Sequence, residues 1–146
     1  MFAMNVNEID KLAWLCIKDT RILVVRSKGN DTYYIPGGKR EEGESDYEAL
    51  IREVKEELSV DLMPETIKYA KTFKAQAHGK PNGVQVKMTC YFAEFSGAMK
   101  ASAEIEEASW INHDDEIRCS LVTKMIMDWL KSEEMIKSKS VIPKFK

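Results

Sequence analysis

Three glutamates stand close together near the middle of the chain: Glu53, Glu56 and Glu57. In an α-helix, residues three and four apart are neighbours, so this spacing would place the three carboxylates on one face. Carboxylates at that spacing repel one another by roughly 0.2–0.5 kcal/mol per pair, which Arg52 and Lys55 relieve only in part. Mg²⁺ binds a few carboxylates, keeps several waters and takes further oxygens from substrate phosphates. The pattern therefore indicates a metal site, although a solvated glutamate-rich helix surface has the same spacing.

The sequence around the glutamates predicts the helix that would carry them. Ser45 stands three residues before Glu48, which is the spacing of a capping box at a helix start. No glycine or proline follows until Pro64. Larger residues recur at helical spacing and would face a core: Tyr47, Leu50, Ile51, Val54 and Leu58. We therefore predict a helix that starts after Ser45 and carries the three glutamates on a different face from the core residues.

The helix is part of a longer motif, Gly38 to Val60, which reads GKREEGESDYEALIREVKEELSV. It resembles the box of the Nudix hydrolase family: Gly, five residues, Glu, seven residues, Arg-Glu, a hydrophobic residue, any residue, Glu-Glu, any residue, Gly and a hydrophobic residue. The positions in register are Gly38, Glu44, Arg52, Glu53, Val54, Glu56, Glu57 and Val60. The preceding run Tyr34-Ile35-Pro36-Gly37-Gly38 is also similar to the family's lead-in to the box.

Ser59 stands where the family's box has its last glycine. A glycine just after a helix usually has a left-handed backbone. Serine there would cost on the order of 1 kcal/mol, or the last turn of the helix would adjust. Because this position contributes backbone and not a carboxylate, the departure bears on local geometry and not on the metal site.

The resemblance implies an α/β fold, the Nudix-type α/β/α sandwich with a mixed β-sheet between helices. It implies one Nudix hydrolase domain over residues 1–146, of which about 137–146 would be a basic, frayed tail. The activity it implies is that of a pyrophosphohydrolase acting on acid anhydrides in phosphorus-containing compounds. Mg²⁺, with Mn²⁺ as the alternative, would neutralise charge on a diphosphate linkage and lower the pKa of a bound water.

The resemblance also implies a role for each residue of the motif. Glu53, Glu56 and Glu57 would bind the metal, and Glu44 would assist them from the loop before the helix. Arg52 would belong to the catalytic group because it pairs with a carboxylate of the box and orients it.

Similar proteins carry one more glutamate a few residues before a tryptophan, where it binds metal or activates water. Glu104, Glu106 and Glu107 all precede Trp110. Glu104 has the preferred spacing and Glu107 is second, while a solvated acidic loop would explain any one of them. The general base is therefore predicted to be Glu53 or Glu104.

Four residues before the helix are candidates for the substrate site. Gly37 and Gly38 turn the chain sharply and bring backbone close to whatever lies there. Lys39 would meet a phosphate or simply be solvated. Arg26 ends a predicted strand where similar proteins often place an arginine that contacts substrate, and an ordinary surface arginine is the alternative reading.

The elements that must position these residues are mostly strands. Residues 11–17 and 21–26 form a predicted hairpin around a turn at 18–20, and residues 67–78 and 84–95 form a second around a segment dense in turn formers. A short strand at 109–111 and a final helix with Ser120 as its cap complete the pattern. The apolar stripe of that helix consists of Leu121, Val122, Met125, Ile126, Trp129 and Leu130.

Composition and charge are those of an ordinary globular protein. The chain of 146 residues is 44% hydrophobic and 32% charged, and its net charge is −2, so no field of one sign favours nucleic acid or an anionic membrane. No signal pattern opens the chain, and no apolar run approaches the ~20 residues that a membrane span needs. Three scattered cysteines, Cys16, Cys90 and Cys119, suggest buried thiols in a reducing compartment rather than a zinc site. We therefore expect a cytoplasmic protein with a small-molecule nucleotide substrate and no nucleic-acid or membrane partner. The sequence leaves a homodimer open.

Signatures outside the motif bear on the substrate, which we expect to be a nucleoside diphosphate linked to another group. The chain lacks a Ser-Gln-Pro-Trp-Pro run like that of NADH-cleaving relatives, and an upstream pattern of the coenzyme A type. Residues 75–77 contain neither the proline that resembles ADP-ribose hydrolases nor the tyrosine that resembles dinucleoside polyphosphate hydrolases. These absences favour nucleoside triphosphates, including damaged ones. A non-catalytic, nucleotide-binding regulatory module and an RNA 5′-end pyrophosphohydrolase are the alternatives, and the second would want a basic groove.

Overall fold

The structure, a computed structural model, describes residues 7–138 and contains ten strands, two α-helices and two short 3₁₀ helices. The strands are β1 (Glu8–Leu15), β2 (Ile17–Lys18), β3 (Arg21–Ser27), β4 (Tyr33–Tyr34), β5 (Gly37–Lys39), β6 (Asp61–Leu62), β7 (Lys68–Gln76), β8 (Gln85–Phe92), β9 (Phe95–Ser96) and β10 (Ile105–Ile111). The α-helices are α1 (Asp46–Leu58) and α2 (Leu121–Ser132), and the 3₁₀ helices cover Pro64–Thr66 and His113–Arg118.

The longer strands form two sheets. The first has the order β5-β1-β8-β7. It is mixed, because β1 and β8 run parallel, whereas β5 is antiparallel to β1 and β7 is antiparallel to β8. The second joins β10, β3 and β2, and β4 pairs with the end of β3 at Val25 and Arg26. The short strands β6 and β9 pair with each other. The predicted mixed α/β fold is confirmed, with its strands divided between sheets.

Alternate residues of the central strands face two different cores, one under each helix. Leu12 and Trp14 of β1 pack with α1, whereas Ala13 and Leu15 pack with α2. The α1 core also contains Leu23, Val25, Ala49, Leu50, Val54 and Leu58, and the α2 core also contains Ile22, Val24, Val122, Ile126, Met127 and Leu130. Strands that are covered on both faces carry continuous apolar runs, which accounts for the run from Ile22 to Val25. The layers are therefore helix, sheet and helix, as predicted.

The predicted strand over residues 11–17 is two strands that belong to different sheets. β1 ends at Leu15 and pairs with β5 and β8, whereas Ile17 and Lys18 pair with β3. The chain passes from one sheet to the other at Cys16. The predicted hairpin is thus limited to β2 and β3, because an apolar run does not reveal which sheet a buried strand joins.

The second predicted hairpin is confirmed and the last strand is longer than predicted. β7 and β8 pair antiparallel along their whole length. β10 begins at Ile105 and not at Ser109, and it pairs with β3 through an irregularity between Ile105 and Glu107. The first half of this strand was not predicted because it contains the acidic residues Glu106 and Glu107, although Ile105 itself is buried.

α2 starts after Ser120 as predicted, but its buried face is turned relative to the predicted stripe. Leu121 is 50% exposed and Met125 is 36% exposed, whereas Thr123 and Met127 are fully buried. The helix packs against β7 and against the 3₁₀ helix of residues 113–118, so its buried arc is set by these neighbours and not by the apolar positions alone.

The first residue of the predicted tail is held in the fold. The Lys137 N–H donates to the carbonyl of Thr20, and the Lys137 carbonyl accepts from the N–H of His113. The rest of that tail, from residue 139, lies outside the described residues. Within residues 7–138, no helix is long and apolar enough to cross a membrane.

Candidate active site

Helix α1 begins and ends as the sequence predicts. The Ser45 hydroxyl oxygen accepts from the Glu48 N–H at 3.1 Å, and the Glu48 carboxylate accepts from the Ser45 N–H at 2.9 Å, which completes the capping box. At the other end Ser59 has a left-handed backbone, with φ of 63°. Its hydroxyl lies 2.9 Å from that of Ser102, so a hydrogen bond offsets part of the strain that glycine would avoid.

The loop before β10 is fastened to the end of α1. The Ser102 N–H donates to the carbonyl of Glu57, and the Lys100 N–H donates to that of Leu58, both at 2.9 Å. These bonds satisfy carbonyls that a helix end leaves without partners. They also hold Glu104, two residues after Ser102, beside the carboxyl-terminal half of α1.

Glu53, Glu56 and Glu57 of α1 lie in three different environments. Glu57 is only 3% exposed, whereas the side chains of Glu53 and Glu56 are 19% and 49% exposed. The expectation that all three lie away from the core is therefore wrong for Glu57. At 3.6 residues per turn, Glu57 follows Glu53 by slightly more than one turn and is rotated towards the sheet.

Glu57 is a buried carboxylate with little compensation. It accepts one hydrogen bond, from the Gly37 N–H at 3.1 Å, and makes no salt bridge with any residue of 7–138. Burial raises the pKa of Glu57 to about 8, and the negative charges of Glu53 and Glu104 act in the same direction. A cation bound at this position would remove the cost of ionising Glu57.

Two glycines bring the backbone of β5 against these carboxylates. Gly37 has a φ of 143°, and a β-carbon there would lie 2.0 Å from the carbonyl oxygen of Leu12. A β-carbon at Gly38 would lie 2.4 Å from the carboxyl carbon of Glu53. Gly37 is thus required by the close approach of β1, and Gly38 by the space that the Glu53 carboxylate occupies.

Arg52 connects three of the carboxylates. Its Nε and Nη2 donate to Glu44 at 2.6 and 2.8 Å, and its Nη1 donates to Glu53 at 3.2 Å and to Glu56 at 3.0 Å. Its Nη2 also donates to the carbonyl of Lys39. The paired guanidinium lowers the pKa of Glu44 to about 2. Arg52 therefore fixes the positions of these carboxylates, which is the orienting contact expected of it.

Glu104 and Glu107 face different surroundings. The charge of Glu104 raises the pKa of both Glu53 and Glu57, so it lies on the side of the carboxylate cluster. Glu107 instead accepts from Arg26 at 3.0 Å, from the Tyr33 hydroxyl at 2.8 Å and from Ser109. Its carboxylate is fully engaged there, which favours Glu104 as the glutamate that acts with the cluster.

The two predicted substrate-binding side chains, Arg26 and Lys39, lie in different surroundings. Arg26 donates to Glu107 and to the carbonyl of Asn30, so its guanidinium is occupied within the fold. The Lys39 side chain is exposed and next in the chain to Gly38, and its carbonyl is bound by Arg52. Both assignments stay predictions, and Lys39 is the one whose side chain is available.

A cavity of about 280 Å³ opens beside Gly37 and Gly38. Its apolar wall comes from β1 and β8 of the first sheet, from α2 and from the segment between β4 and β5: Ile9, Leu12, Ile35, Val86, Met88 and Val122. Its polar lining includes Lys11, Asn30, Thr32, His78 and Lys80. Lys11 was not among the predicted site residues, because a lysine within an apolar strand is not a recognised signal. The only sequence clue is its charge in an otherwise apolar run.

The donor set of the cluster fits a hard divalent cation. It offers carboxylate oxygens from Glu53, Glu56 and Glu57, and no thiol or imidazole stands among them. Such oxygen ligands suit Mg²⁺ and Mn²⁺ rather than zinc. The weakly compensated Glu57 beside Glu53 is the observation in favour of a cation here.

Within residues 7–138, the metal-ligating side chains that converge to within 4.8 Å of one another are not these glutamates but a group on the 3₁₀ helix of residues 113–118 and on α2. His113, Glu116 and Asp128 offer ligand atoms that all lie within 4.8 Å of one another. The His113 Nε2 is already 2.7 Å from a carboxylate oxygen of Asp128 and 3.2 Å from one of Glu116. A hydrogen bond between His113 and Asp128 that joins the two elements is therefore sufficient to explain the group.

Comparison with known proteins gives a family and a fold. The model of the NUDIX domain matches residues 10–130. The solution structure of the E. coli ORF135 protein has a TM-score of 0.70 at 20% identity, over 87% of this chain and 91% of that one. The MutT NUDIX hydrolase from Burkholderia pseudomallei has a TM-score of 0.70 at 23% identity, over 83% and 96%.

A third similar structure is a bifunctional NMN adenylyltransferase/ADP ribose pyrophosphatase from Francisella tularensis, complexed with AMP and a manganese ion. Its TM-score is 0.65 at 20% identity, over 86% of this chain and 42% of that one. At these identities the three structures show a shared fold. No curated protein matches the chain in sequence.

Proposed function

This chain belongs to the NUDIX domain family, and on that premise we propose that it is a magnesium-dependent hydrolase of nucleotides. The bond it cleaves is the diphosphate linkage of a nucleoside diphosphate joined to another group. The favoured substrate is a nucleoside triphosphate, normal or damaged. The three free, buried cysteines support the reducing environment of the cytoplasm as its location.

The observation that carries this proposal is the buried Glu57 beside Glu53. A carboxylate that is 3% exposed and has one backbone donor is costly unless a cation approaches it. Gly37 and Gly38 allow the backbone of β5 to lie against both carboxylates, since a side chain at Gly38 would occupy the space of the Glu53 carboxylate. A surface-exposed, glutamate-rich helix would not bury one of its carboxylates in this way.

The residues of the cluster have two different roles, cation binding and positioning. Glu53, Glu56 and Glu57 hold the cation, while Arg52 keeps Glu53 and Glu56 in place through its Nη1. Glu44 orients Arg52 from the other side and is thereby a positioning residue as well as a candidate ligand. Magnesium, when bound, supplies Lewis-acid chemistry that neutralises charge on the diphosphate and lowers the pKa of water.

A glutamate near the cluster must take the proton of the attacking water. Glu104 suits this role, since it precedes β10 at the edge of the cluster and is exposed. Glu53 is the other candidate, but its carboxylate is held by Arg52 and lies against Gly38. Within residues 7–138 the Glu104 carboxylate makes no hydrogen bond or salt bridge, so it is free to contact the water, and we favour Glu104 over Glu53.

The cavity supports a nucleoside as the group next to the diphosphate. At about 280 Å³ it is slightly smaller than the ~300–1,000 Å³ of drug-sized ligand pockets, which suits one flat ring system. Its wall is apolar and its rim is polar, and Gly37 and Gly38 join it to the carboxylates. The AMP and manganese ion bound by the Francisella protein support the same pairing of nucleotide and divalent cation.

The test is release of phosphate or pyrophosphate, with and without Mg²⁺, across a panel of substrates. The panel contains normal and oxidised nucleoside triphosphates, ADP-ribose, NADH, nucleotide sugars, dinucleoside polyphosphates and RNA with a 5′-triphosphate. We expect hydrolysis of a nucleoside triphosphate that the Glu57→Gln variant reduces by roughly two to three orders of magnitude. Glu65→Gln, on the exposed 3₁₀ helix that follows β6, is the matched control and should match the unchanged protein.

The same panel separates the alternatives. Nucleotide binding without hydrolysis by the folded, metal-loaded protein would contradict the proposal and favour a regulatory module. Hydrolysis confined to RNA, with a steep loss of binding in salt, would favour the RNA 5′-end pyrophosphohydrolase.

A further inference from the structure

Lys11 is a cation whose charge is opposed by those of Glu57 and Glu53 without a salt bridge to either. It lies on β1, directly opposite Lys39 of β5, and is partly buried. Within residues 7–138 its side chain makes no hydrogen bond and no salt bridge. Burial lowers the pKa of Lys11, and the charge of Lys39 acts in the same direction. Folding therefore places a positive charge in a partly buried position, where the charges of Glu57 and Glu53 oppose the cost of burial.

The position of Lys11 links the cavity to the carboxylate cluster. Lys11 lines the cavity together with Gly37 and Gly38, and its charge interacts with those of Glu57 and Glu53. A ligand that spans from the cavity to the carboxylates would therefore lie near Lys11.

The charge of the cavity favours an anion at this point. Lys11, Lys80 and His78 line it, and none of the described residues that line it is acidic. The charges of Lys39 and Lys80 both act on Lys11. The charges of three lysines from separate segments, β1, β5 and the β7–β8 turn, thus interact beside the cavity.

We propose that Lys11 is a substrate-binding residue whose ammonium binds the phosphate that joins the nucleoside to the rest of the substrate. This inference rests on the proposed function and deepens it. The carboxylates and their cation hold the reacting diphosphate, the cavity holds the nucleoside, and Lys11 contacts the phosphate between them. A charge-assisted hydrogen bond in a partly covered site is the kind of contact that orients such a group.

If Lys11 serves to bind a ligand, its charge should not stabilise the free protein. Replacing Lys11 by methionine removes the charge and keeps most of the side chain's volume. Since burial of the Lys11 charge is unfavourable and its side chain makes no hydrogen bond or salt bridge with another residue of 7–138, we expect the Tm of Lys11→Met to equal or exceed that of the unchanged protein. A lysine with a purely structural role would give the opposite result.

The experiment measures what the phosphate contributes to binding. Nucleoside 5′-monophosphates contain no anhydride, so they bind without turnover. Dissociation constants are measured calorimetrically in Mg²⁺ for adenosine, guanosine, cytidine and uridine and for their 5′-monophosphates. The proteins are the unchanged chain, Lys11→Met, Lys11→Gln and the control Lys68→Met, which alters an exposed lysine of β7.

We expect the unchanged protein to bind its preferred monophosphate roughly ten times or more tightly than the matching nucleoside. In Lys11→Met and Lys11→Gln most of that ratio should disappear, while binding of the nucleoside itself stays the same. Lys68→Met should keep the full ratio. If only one of the two Lys11 variants folds, the binding ratio of that variant tests the inference.

An unchanged ratio in the Lys11 variants would overturn the inference, as would an unchanged protein that binds monophosphate and nucleoside equally. The panel on the unchanged protein separates this failure from that of the proposed function. If it hydrolyses nucleotides and the ratio survives in Lys11→Met, only the inference fails. If it neither hydrolyses nor binds any nucleotide, both fail.

Discussion

At the residue scale, the chemistry of the site depends on how differently three neighbouring glutamates are placed. Glu56 is half-exposed and Glu53 is mostly covered, whereas Glu57 is buried against Gly37. Arg52 binds the first two and does not bind Glu57. Glu57 is consequently the carboxylate with the greatest need of a cation.

The metal-free protein should lose stability as pH rises, because of Glu57. Its folded pKa is about 8 and its ordinary value is 4.5, so between these values the folded chain binds the proton more tightly than the unfolded chain. The stabilisation from the protonated form is fully present below pH 4.5 and is lost as pH rises towards 8. Burial of Glu53 raises its pKa too and adds in the same direction.

We therefore expect the free energy of unfolding in EDTA to fall between pH 5.5 and 8, by at most roughly 1.4 kcal/mol per pH unit from Glu57. Denaturant unfolding of the unchanged protein and of Glu57→Gln measures this slope. The variant should have a flatter profile and be the more stable protein near pH 8. Equal slopes in the two proteins would contradict the assignment of the slope to Glu57.

At the element scale, the site is assembled by contacts between the ends of elements. The end of α1 is bound by the loop of residues 100–102, which positions Glu104, and β5 reaches the helix through Gly37 and Gly38. Ser59 lies in the short connection between α1 and β6. It has the left-handed backbone that a glycine after a helix usually adopts, and it adds a hydrogen bond to Ser102.

Two substitutions at Ser59 separate the backbone strain from the hydrogen bond. Ser59→Ala removes the bond and keeps the strain, whereas Ser59→Gly removes both. We expect Ser59→Ala to be the least stable of the three proteins, with Ser59→Gly about 1 kcal/mol above it and close to the unchanged protein. Thermal unfolding measures the order, with hydrolysis rates as the check that the carboxylates are undisturbed. An alanine variant as stable as the glycine variant would show that residue 59 carries no strain.

At the scale of the whole molecule, local patterns were predictable and long-range placement was not. The capping box, the left-handed position at Ser59 and the box itself follow from spacing along one segment, and so they could be predicted from the sequence. The burial of Glu57 depends on β5. Gly37 of that strand, which donates a hydrogen bond to Glu57, lies twenty positions earlier in the chain. A helical pattern cannot reveal which strand will cover it.

The same reason explains the other differences. Lys11 meets the site only because β1 lies between β5 and β8, and the break at Cys16 exists only because β2 joins the other sheet. The pairing of Arg26 with Glu107 joins β3 to β10, from opposite halves of the chain. Each of these depends on strand order, which a single sequence does not specify.

The central claim is that the carboxylates of α1 hold the divalent cation that hydrolysis requires. Binding of Mn²⁺, a paramagnetic ion that takes the same oxygen ligands as Mg²⁺, tests it directly without any nucleotide. Electron paramagnetic resonance titrations compare the unchanged protein with Glu57→Gln, Glu65→Gln and His113→Gln. Binding weakened at least roughly tenfold by Glu57→Gln alone is the predicted result. Binding that survives Glu57→Gln and is lost in His113→Gln would place the cation at His113, Glu116 and Asp128 and contradict the claim.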